Sequence, residues 1–328
     1  MKLLVTGGLG FIGSNFLLRL AGQKNPFRAV TVLDALCHTS NPELLPLLQH
    51  TGGFAFVEGD IANQRLVEKL MVEHNYVLNL AAQTFVDTSI DNSRAFFETN
   101  VLGLHSLLEA VRRTKPRRLV HVSTDEVWGD APGSQYFNEA SPYAPRNPYA
   151  ASKAAGDHMV MAYGNTYGIE YNIIYLTNLI GPWQYPEKLI PRAILRLLLG
   201  RKVELHGTGE YLRTWLDVDD AVDGLFRTFS LGAPGARYIF GSNGPMSNVD
   251  VIGQVLAVMG RTWESVRYIT NRPGQDCRYA VDCSKAAAEL SWKPTIAFAK
   301  SLSRTVEWMS DNPEWWQRRL KWAHEASA

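Results

Sequence analysis

The chain has 328 residues, 46% of them hydrophobic, and its 33 lysines and arginines nearly balance its 32 aspartates and glutamates. This balance provides no overall positive charge for binding nucleic acid or an anionic membrane, so we expect neither as a partner. The length is enough for a sizeable core and favours two interlocked lobes over one small domain.

The first predicted element is an apolar strand over 2–6, which a glycine-rich turn joins to a helix over 14–21. Gly7, Gly10 and Gly13 in such a turn permit a tight reversal, close approach of a pyrophosphate to the backbone, and packing of the helix on the strand. The turn therefore predicts a site for a dinucleotide.

A second strand over 29–33 ends at Asp34, about 20 residues beyond the glycines. An acidic residue at this place bonds the adenosine ribose hydroxyls of a dinucleotide and disfavours the 2′-phosphate of NADP. A glycine triplet alone is weak evidence, because unliganded turns carry glycines too. Strand, glycines and acid together predict NAD as the cofactor.

Strands and helices continue to alternate along the chain. The pattern predicts strands over 54–57, 76–80, 119–123 and 171–175, and helices over 63–73, 93–113 and 147–167. This repetition predicts an α/β fold with a doubly wound parallel Rossmann sheet, which the strand over 171–175 completes.

The regularity fades beyond this sheet, where we expect a smaller C-terminal α/β substrate-binding lobe. It includes a strand, a turn and a strand over 206–213 and two late helices, from about Ser284 and over 298–309. We therefore divide the chain into a cofactor domain, 1–175, and a lobe, 176–328, with an interleaved boundary that lets the chain cross back.

Tyr149 and Lys153 lie four residues apart on the helix predicted over 147–167. Positions four apart share a helix face, so the phenol and the ammonium group can point into one site. A cation beside a phenol favours phenolate, so we expect Lys153 to lower the pKa of Tyr149 towards use as a base.

Two carboxylates, Asp125 and Glu126, follow the strand over 119–123. Open α/β sheets bind ligands at the carboxyl ends of their strands, so these acids could add acid and base chemistry to the same site. A solvated loop or a helix N-cap pair is the alternative interpretation, which the sequence context of Ser123 and Tyr149 disfavours.

Three scattered cysteines, Cys37, Cys277 and Cys283, have no CxxC spacing. They predict free thiols in a reducing compartment rather than a disulfide framework or a metal site. The chain shows no signal-length or transmembrane-length apolar run. We therefore expect a soluble, cytoplasmic protein without a metal.

With these features the chain resembles the extended short-chain dehydrogenase/reductase family, and within it the nucleotide-sugar 4,6-dehydratases, most closely the dTDP-glucose 4,6-dehydratase group. The acid pair is the selective feature, because epimerases and decarboxylases of this fold generally lack it. The motifs that carry the resemblance span nearly the whole chain: 6–13, Val86-Asp87 with Ser89-Ile90, 99–101, 123–127, 148–153, 186–191 and 272–274.

The resemblance implies NAD-dependent dehydration of a nucleotide-activated hexose to its 4-keto-6-deoxy form. Tyr149 would remove the C4 hydroxyl proton while the C4 hydride passes to NAD+. Glu126 would then take the C5 proton, and Asp125 would protonate the departing C6 hydroxyl, before the hydride returns to C6. Thr124 would hydrogen bond near the C4 oxygen, and Lys153 would bind the nicotinamide ribose.

The matching motifs also imply the binding residues and a homodimer, formed through a bundle of the segments 93–113 and 147–167. Arginine suits the diphosphate, because its planar fork binds phosphate oxygens bidentately. The implied cofactor residues are Gly7, Gly10, Phe11, Ile12, Gly13, Asp34, Asp60, Ile61, Leu80, Ala81, Ala82, Asn100, Ser123, Tyr149, Lys153 and Asn178. The implied substrate residues are Thr84, Asn178, Glu187, Lys188, Leu189, Arg213, Asn248 and Arg272.

The chain departs from the family pattern around the sugar and nucleotide, at Gln83, Phe85, Trp128, Leu179, Thr214 and Gln275. These changes leave the substrate open between dTDP-glucose and a UDP-hexose, with glucose or a 2-acetamido sugar. A 4-epimerase, a 5,6-dehydratase that stops before hydride return, and a non-catalytic NAD-binding sensor are the alternative functions.

Overall fold

The structure is a computed structural model that describes residues 1–23, 25–242, 244–271 and 273–320. The strands are β1 (Lys2–Thr6), β2 (Ala29–Asp34), β3 (Phe54–Glu58), β4 (Tyr76–Asn79), β5 (Arg118–Thr124), β6 (Tyr171–Leu176), β7 (Asn178–Ile180), β8 (Val203–His206), β9 (Leu212–Arg213), β10 (Trp215–Asp217), β11 (Arg237–Phe240), β12 (Met246–Ser247) and β13 (Val266–Ile269).

The helices are α1 (Phe11–Gly22), α2 (Leu45–Thr51), α3 (Gln64–Met71), α4 (Val86–Asp91), α5 (Ser93–Phe97), α6 (Leu104–Thr114), α7 (Pro148–Tyr167), α8 (Leu189–Leu198), α9 (Val218–Leu231), α10 (Asn248–Val258), α11 (Ser284–Leu290), α12 (Phe298–Asp311) and α13 (Pro313–Gln317). Short 3-10 turns lie at Pro42–Leu44, Asp125–Trp128 and Trp263–Ser265, and a π-helical stretch lies at Glu98–Gly103.

A seven-stranded parallel sheet with the order β11-β6-β5-β4-β1-β2-β3 forms the centre of the protein. Every residue of β6 is buried, as expected for an inner strand of a parallel sheet that helices cover on both faces. Two separate apolar clusters fill the spaces between the sheet and these helices. The predicted α/β fold with a doubly wound Rossmann sheet is confirmed.

The edge of this sheet differs from the sequence-based expectation. Strand β11, from the second half of the chain, pairs with β6, so the strand predicted over 171–175 does not complete the sheet. Strand β11 was not predicted because it has four residues, and so short a pattern does not distinguish a strand from a buried turn. The chain thus crosses back to the sheet after residue 176, while the division into 1–175 and 176–328 stays a prediction.

The helix predicted over 93–113 is also interrupted. The π-helical stretch Glu98–Gly103 separates α5 from α6, and the buried Asn100 lies within it. The Asn100 amide nitrogen donates to the Gln83 carbonyl at 3.0 Å and to Ser152 Oγ at 2.8 Å, while its oxygen accepts from Gln83 N at 2.9 Å. Wider turns of this kind are common at functional sites, and this one braces the loop after β4.

A smaller lobe surrounds a third apolar cluster that includes residues of α8, α10 and α12. Strands β8 and β9 confirm the two short strands expected in 206–213, but they pair with β13 and β12 instead of with each other. The late helices are confirmed as α11 and α12. In the described part of the chain, no helix has the length and apolar character needed to cross a membrane.

Packing of α9 on β11 generates a stability prediction. A Cβ added at Gly224 would lie 2.5 Å from the buried Phe240 ring, whereas one at Gly22 would have no heavy atom within 4 Å. We expect Gly224→Ala to lower the free energy of unfolding by about 1–3 kcal/mol, because the ring must move in a packed core. Urea unfolding measures this change, and Gly22→Ala is the matched control. Equal effects of the two substitutions would contradict it.

Candidate active site

One cleft lies at the carboxyl ends of β1, β4, β5 and β6, beside the point where the strand order reverses. Predicted residues of all three classes line it. They are Gly7, Gly10, Phe11, Ile12, Gly13, Leu80, Ala82, Ser123, Tyr149 and Asn178 of the cofactor set, Thr124, Asp125 and Glu126 of the catalytic set, and Thr84, Glu187, Lys188 and Leu189 of the substrate set.

The three glycines of the first loop have different structural roles. A Cβ at Gly7 would lie 2.6 Å from the Ala81 backbone, and one at Gly13 would lie 2.4 Å from the Gly8 carbonyl oxygen. Gly10 lines the cleft, and the nearest heavy atom to a Cβ there is the Gly7 carbonyl oxygen at 3.3 Å. Glycine at 7 and 13 therefore serves close backbone packing, while Gly10 leaves room for a ligand.

The amino terminus of α1 opens into the same cleft. Gly10 is its N-cap without a side-chain hydrogen bond, and the first turn contains no acidic residue. Unpaired backbone N–H groups and the positive end of the helix dipole favour an anion at such a place. Together with the space at Gly10, this cradle fits the expected pyrophosphate.

Asp34 is buried at the end of β2 and braces the glycine loop. Its Oδ2 accepts from Leu9 N at 2.9 Å, and its Oδ1 accepts from Leu36 N at 2.9 Å and from Ser40 Oγ at 2.8 Å. A carboxylate has about four acceptor sites, so a further bond to a ribose is compatible with these contacts. The ribose contact itself stays a prediction.

The acid pair lies on the 3-10 turn that follows β5, and Thr124 caps this turn by accepting from Glu126 N at 3.3 Å. Asp125 is 3% exposed. Burial, and then the charge of Glu126, raise the pKa of Asp125 to about 8, while Arg213 opposes the rise. The Asp125 carboxyl group therefore keeps its proton at neutral pH.

Glu126 has a more polar environment than Asp125. Its Oε2 accepts from Asn147 Nδ2 at 3.1 Å and from the Tyr279 hydroxyl at 3.4 Å, and its side chain is only partly buried. Among the described residues, Asp125 Oδ2 is buried and has no hydrogen-bond partner. Two adjacent carboxyls in such unlike surroundings can differ in protonation, as an acid and a base must.

Tyr149 and Lys153 occupy successive turns of α7, as predicted. Burial raises the pKa of the Tyr149 phenol well above its ordinary value; the Glu126 charge adds to the rise, and a hydrogen bond to Thr124 opposes it. The expectation of a pKa below the ordinary value is therefore wrong for Tyr149, because burial and the Glu126 charge raise it overall. Lys153 Nζ donates to the Val122 carbonyl at 2.8 Å, and burial lowers the pKa of Lys153 to about 8.

A buried carboxylate, Asp157, lies one further turn along α7 and was not predicted. It is 0% exposed, accepts from Ser123 Oγ at 2.7 Å, and has its Oδ1 3.4 Å from His121 Nε2. Its charge raises the pKa of Lys153, against the effect of burial. The spacing of four residues from Lys153 is the sequence signal that could have identified it.

The substrate residues at 187 and 188 adjoin the loop after β4. Lys188 Nζ donates to the Thr84 carbonyl at 2.7 Å and lies 4.7 Å from the centroid of the Phe85 ring. Burial raises the pKa of Glu187 to about 8, with a further contribution from Asp87 and opposition from Lys188. Phe85, a departure from the family pattern, thus supports a lysine through a cation–π contact.

Arg213 is buried, and its guanidinium group forms several hydrogen bonds within the protein. Its guanidinium donates to the carbonyls of Leu212 at 2.8 Å, Asp276 at 2.8 Å and Cys277 at 3.4 Å. It also stacks 4.2 Å from the centroid of the Tyr279 ring. The diphosphate contact predicted for Arg213 stays a prediction, and the structure gives it a bracing role that the sequence did not indicate.

Three further predicted residues, Asp60, Ile61 and Asn248, do not line the cleft. Asp60 is exposed, Ile61 packs where a Cβ on Gly103 would lie, and Asn248 is the first residue of α10. Arg272 lies outside the described residues. In the described part of the chain, no cluster of three or more His, Cys, Asp or Glu residues could hold a metal ion.

Several cleft residues were missed by the sequence reasoning. Thr177 precedes the predicted Asn178, and Gln184 and Tyr185 precede the predicted Glu187, so proximity in sequence was the available signal. Trp215 and Thr39 carried no such signal, because their strand and loop had not been placed beside the cleft. The missed lining residues are Thr39, Leu176, Thr177, Gln184, Tyr185 and Trp215.

Comparison with known proteins identifies a family whose model matches nearly the whole chain. A family model described as GDP-mannose 4,6 dehydratase matches residues 4–305. The chain belongs to this family. Within the family, it is 40% identical to a dTDP-glucose 4,6-dehydratase of Streptomyces niveus over 97% of this chain and 95% of that protein. It is 34% identical to a dTDP-glucose 4,6-dehydratase of Escherichia coli, over 97% and 96% of the two chains.

Solved structures agree with this placement in the GDP-mannose 4,6 dehydratase family. DesIV, a dTDP-glucose 4,6-dehydratase from Streptomyces venezuelae with NAD and dTDP bound, superposes with a TM-score of 0.94 at 39% identity, over 97% of this chain and 100% of that chain. A UDP-glucose 4-epimerase from Thermotoga maritima has a TM-score of 0.88 at 26% identity, over 95% and 100% of the two chains.

The buried acid generates a prediction about pH. Asp125 has an ordinary pKa of 3.8, which the native fold raises to about 8. Between these two pH values the native protein retains the Asp125 proton, whereas the unfolded chain releases it. The contribution of Asp125 to stability therefore falls as pH rises through this window. The free energy of unfolding of Asp125→Asn, relative to that of the parent, should therefore rise by roughly 1 kcal/mol per pH unit from pH 5 to pH 8. Urea unfolding at each pH measures this difference.

The matched control is Asp311→Asn, at the exposed end of α12. Its difference from the parent should not change with pH in this way. A difference between the parent and Asp125→Asn that stayed constant from pH 5 to pH 8 would mean that Asp125 is ionised throughout.

Proposed function

We propose that this protein is an NAD-dependent dTDP-glucose 4,6-dehydratase, which converts the nucleotide sugar to its 4-keto-6-deoxy form. The observation that carries the proposal is the pairing of the buried Asp125 with Glu126, in one cleft with Tyr149 and the glycine loop. A 4-epimerase oxidises and reduces C4 alone and has no need of two carboxyls at this place. The names of the family relatives support the same reaction.

The cofactor would be held by the glycine loop and the amino terminus of α1, with Asp34 at the adenosine ribose and Lys153 at the nicotinamide ribose. The space at Gly10 and the uncapped helix terminus support this placement. NAD+, when bound, accepts the hydride from C4 and later returns it to C6. Because the hydride comes back, one cofactor molecule serves every turnover.

The chain's own residues would move the protons. Tyr149 takes the proton of the C4 hydroxyl, assisted by Thr124, and the new C4 carbonyl makes the C5 hydrogen acidic. Glu126 removes that C5 proton, and Asp125 gives its proton to the C6 hydroxyl, which leaves as water across C5 and C6. Glu126 then returns its proton to C5. The raised pKa of Asp125, about 8, supports its role as the acid.

Tyr149 needs a positive charge nearby to act as a base, since burial and Glu126 raise its pKa. Lys153, one turn along α7, supplies that charge, and Asp157 helps to keep Lys153 protonated by raising its pKa. We therefore propose Lys153 as the residue that activates Tyr149. The positive nicotinamide ring of the bound cofactor would act in the same direction.

The sugar nucleotide would lie between the catalytic turn and the smaller lobe. Glu187 and Lys188 line this side of the cleft with Thr84 and Asn178, and we assign them to the hexose and diphosphate. Leu189, Arg213, Asn248 and Arg272 complete the proposed substrate set. The names of the relatives favour thymine over uracil, while Phe85 and Leu179 keep a UDP-hexose as the second candidate.

Incubation with dTDP-glucose and with UDP-glucose, followed by mass spectrometry, tests the reaction. We expect a product lighter by one water from dTDP-glucose. Glu126→Gln should slow water loss about 100-fold to 10,000-fold while C4 oxidation continues, so that NADH absorbance accumulates. Glu307→Gln, on α12 and away from the cleft, is the matched control.

Each result separates the candidate functions. An interconverted C4 epimer of unchanged mass would indicate an epimerase, and a product that leaves NADH on the protein would indicate a 5,6-dehydratase. No product from either nucleotide, with NAD still bound, would favour a sensor.

We also propose a homodimer and a cytoplasmic location. The large apolar side chains of Phe97 and Leu102 are 40% and 59% exposed on the segment that follows α4, which supports a helical contact there. Recovery of the protein with cell membranes after fractionation would contradict the proposed location.

The dimer proposal predicts that Leu102→Glu gives a monomer, because an unpaired charge in an apolar contact is costly. Multi-angle light scattering measures the mass. Leu47→Glu is the matched control, since Leu47 is 49% exposed on α2, outside the proposed contact. A parent protein that is monomeric at micromolar concentration would contradict the dimer.

A further inference from the structure

A buried asparagine in the loop after β2 joins the glycine loop to the rest of the cofactor site. Asn41 is 0% exposed, and its backbone N–H donates to the Leu9 carbonyl at 2.7 Å. Its amide nitrogen donates to Ser14 Oγ on α1 at 3.0 Å and to the Trp183 carbonyl at 3.2 Å. One side chain thus connects the dinucleotide loop, the first helix and the loop that leads to Glu187.

The oxygen of the same amide accepts two hydrogen bonds, from Trp315 and Arg319. Trp315 Nε1 on α13 donates to Asn41 Oδ1 at 2.9 Å, and the Arg319 guanidinium donates to it at 3.0 Å. Both amide donors and both acceptor positions of Asn41 are therefore used, the full capacity of the group. A buried amide satisfied in this way has one preferred orientation, which fixes the segments bonded to it.

Arg319 holds the loop after β2 at several further points. It is 8% exposed, although arginine is seldom buried without partners. Its guanidinium donates to both Glu43 carboxylate oxygens at 3.1 Å and to the Ser40 carbonyl at 2.9 Å, and it stacks 4.4 Å from the centroid of the Trp315 ring. The planar fork thereby fixes residues 40–43 in position and orientation.

These bonds lead directly to the cofactor cradle. Ser40 Oγ donates to Asp34 Oδ1, and Asp34 Oδ2 accepts from Leu9 N in the glycine loop. Thr39, next to Ser40, lines the cleft. We call Asn41, Trp315 and Arg319 the C-terminal clasp. Residues about 275 positions apart in sequence are thus within two hydrogen bonds of the predicted adenosine site.

We propose that the C-terminal clasp positions the loop over 34–43 for the adenosine half of NAD, so that the segment 313–319 sets cofactor affinity. This rests on the proposed function, because it takes NAD to be the bound dinucleotide. Asn41, Trp315 and Arg319 act through Asp34, Thr39 and the Leu9 backbone and are positioning residues. Retention of the cofactor matters for a reaction that returns its own hydride.

The experiment measures dissociation constants of NAD and of ADP-ribose by calorimetry, using full-length protein freed of nucleotide. Arg319→Ala should weaken both ligands about tenfold or more, because it removes the buried charged donor that fixes the loop. Trp315→Phe, a milder change that keeps the aromatic packing, should weaken both several-fold. Equal losses for the two ligands would assign the effect to the adenosine side.

Matched controls lie beside each target. The Arg318 side chain is 65% exposed, and its ion pairs with Glu43 and Glu314, within the described residues, are both 3.9 Å long. Arg318→Ala should therefore leave both affinities within about twofold of the parent. Trp316 Nε1 donates to the Met309 carbonyl at 2.9 Å, within the C-terminal segment, so Trp316→Phe should also leave them unchanged.

Thermal unfolding of each variant separates positioning from stability. A lower melting temperature with unchanged NAD and ADP-ribose affinities, for both Arg319→Ala and Trp315→Phe, would overturn the clasp and leave the proposed function standing. Loss of NAD affinity with normal ADP-ribose affinity would overturn it as well. A parent protein that bound neither ligand, yet bound dTDP, would instead reject the proposed NAD cofactor, and the clasp with it.

Discussion

The charge of Glu126 acting on a buried Asp125 is the interaction on which the proposed chemistry depends. Removal from water disfavours the ionised form of Asp125, and a neighbouring carboxylate disfavours it further. The sheet makes both effects possible, because the acid pair follows the end of β5 and faces the cleft. Of the two acids, Glu126 is the one that accepts hydrogen bonds from Asn147 and Tyr279. Two identical functional groups can thus perform opposite roles.

The same exclusion of water acts on the other titratable groups of the cleft. It raises the pKa values of Tyr149 and Glu187 and lowers that of Lys153, each towards its uncharged form. The charged form of each of these groups therefore needs a specific partner to stabilise it. Asp157 is such a partner, because its charge raises the pKa of Lys153. The burial of these side chains strengthens their electrostatic interactions with a transition state, because solvent screens buried charges less.

The features predictable from the sequence were those that short local patterns encode. Glycine spacing, the acid after β2, and the helical spacing of Tyr149 and Lys153 depend on neighbours within one supersecondary unit. Long-range contacts were not predictable in this way: Asn41 meets Trp315 and Arg319 through tertiary packing alone. The pKa of Tyr149 was misjudged for a related reason, since burial depends on the whole fold and spacing reports only which groups are adjacent.

The pairing of β11 with β6 has a consequence for biosynthesis of the chain. During translation, the first six strands of the sheet emerge well before residues 237–240 leave the ribosome. Until then β6, whose residues are all buried in the finished protein, presents an unpaired edge that can associate with other chains. The sheet is therefore completed late, and a fragment that ends near residue 176 would lack the strand that protects this edge.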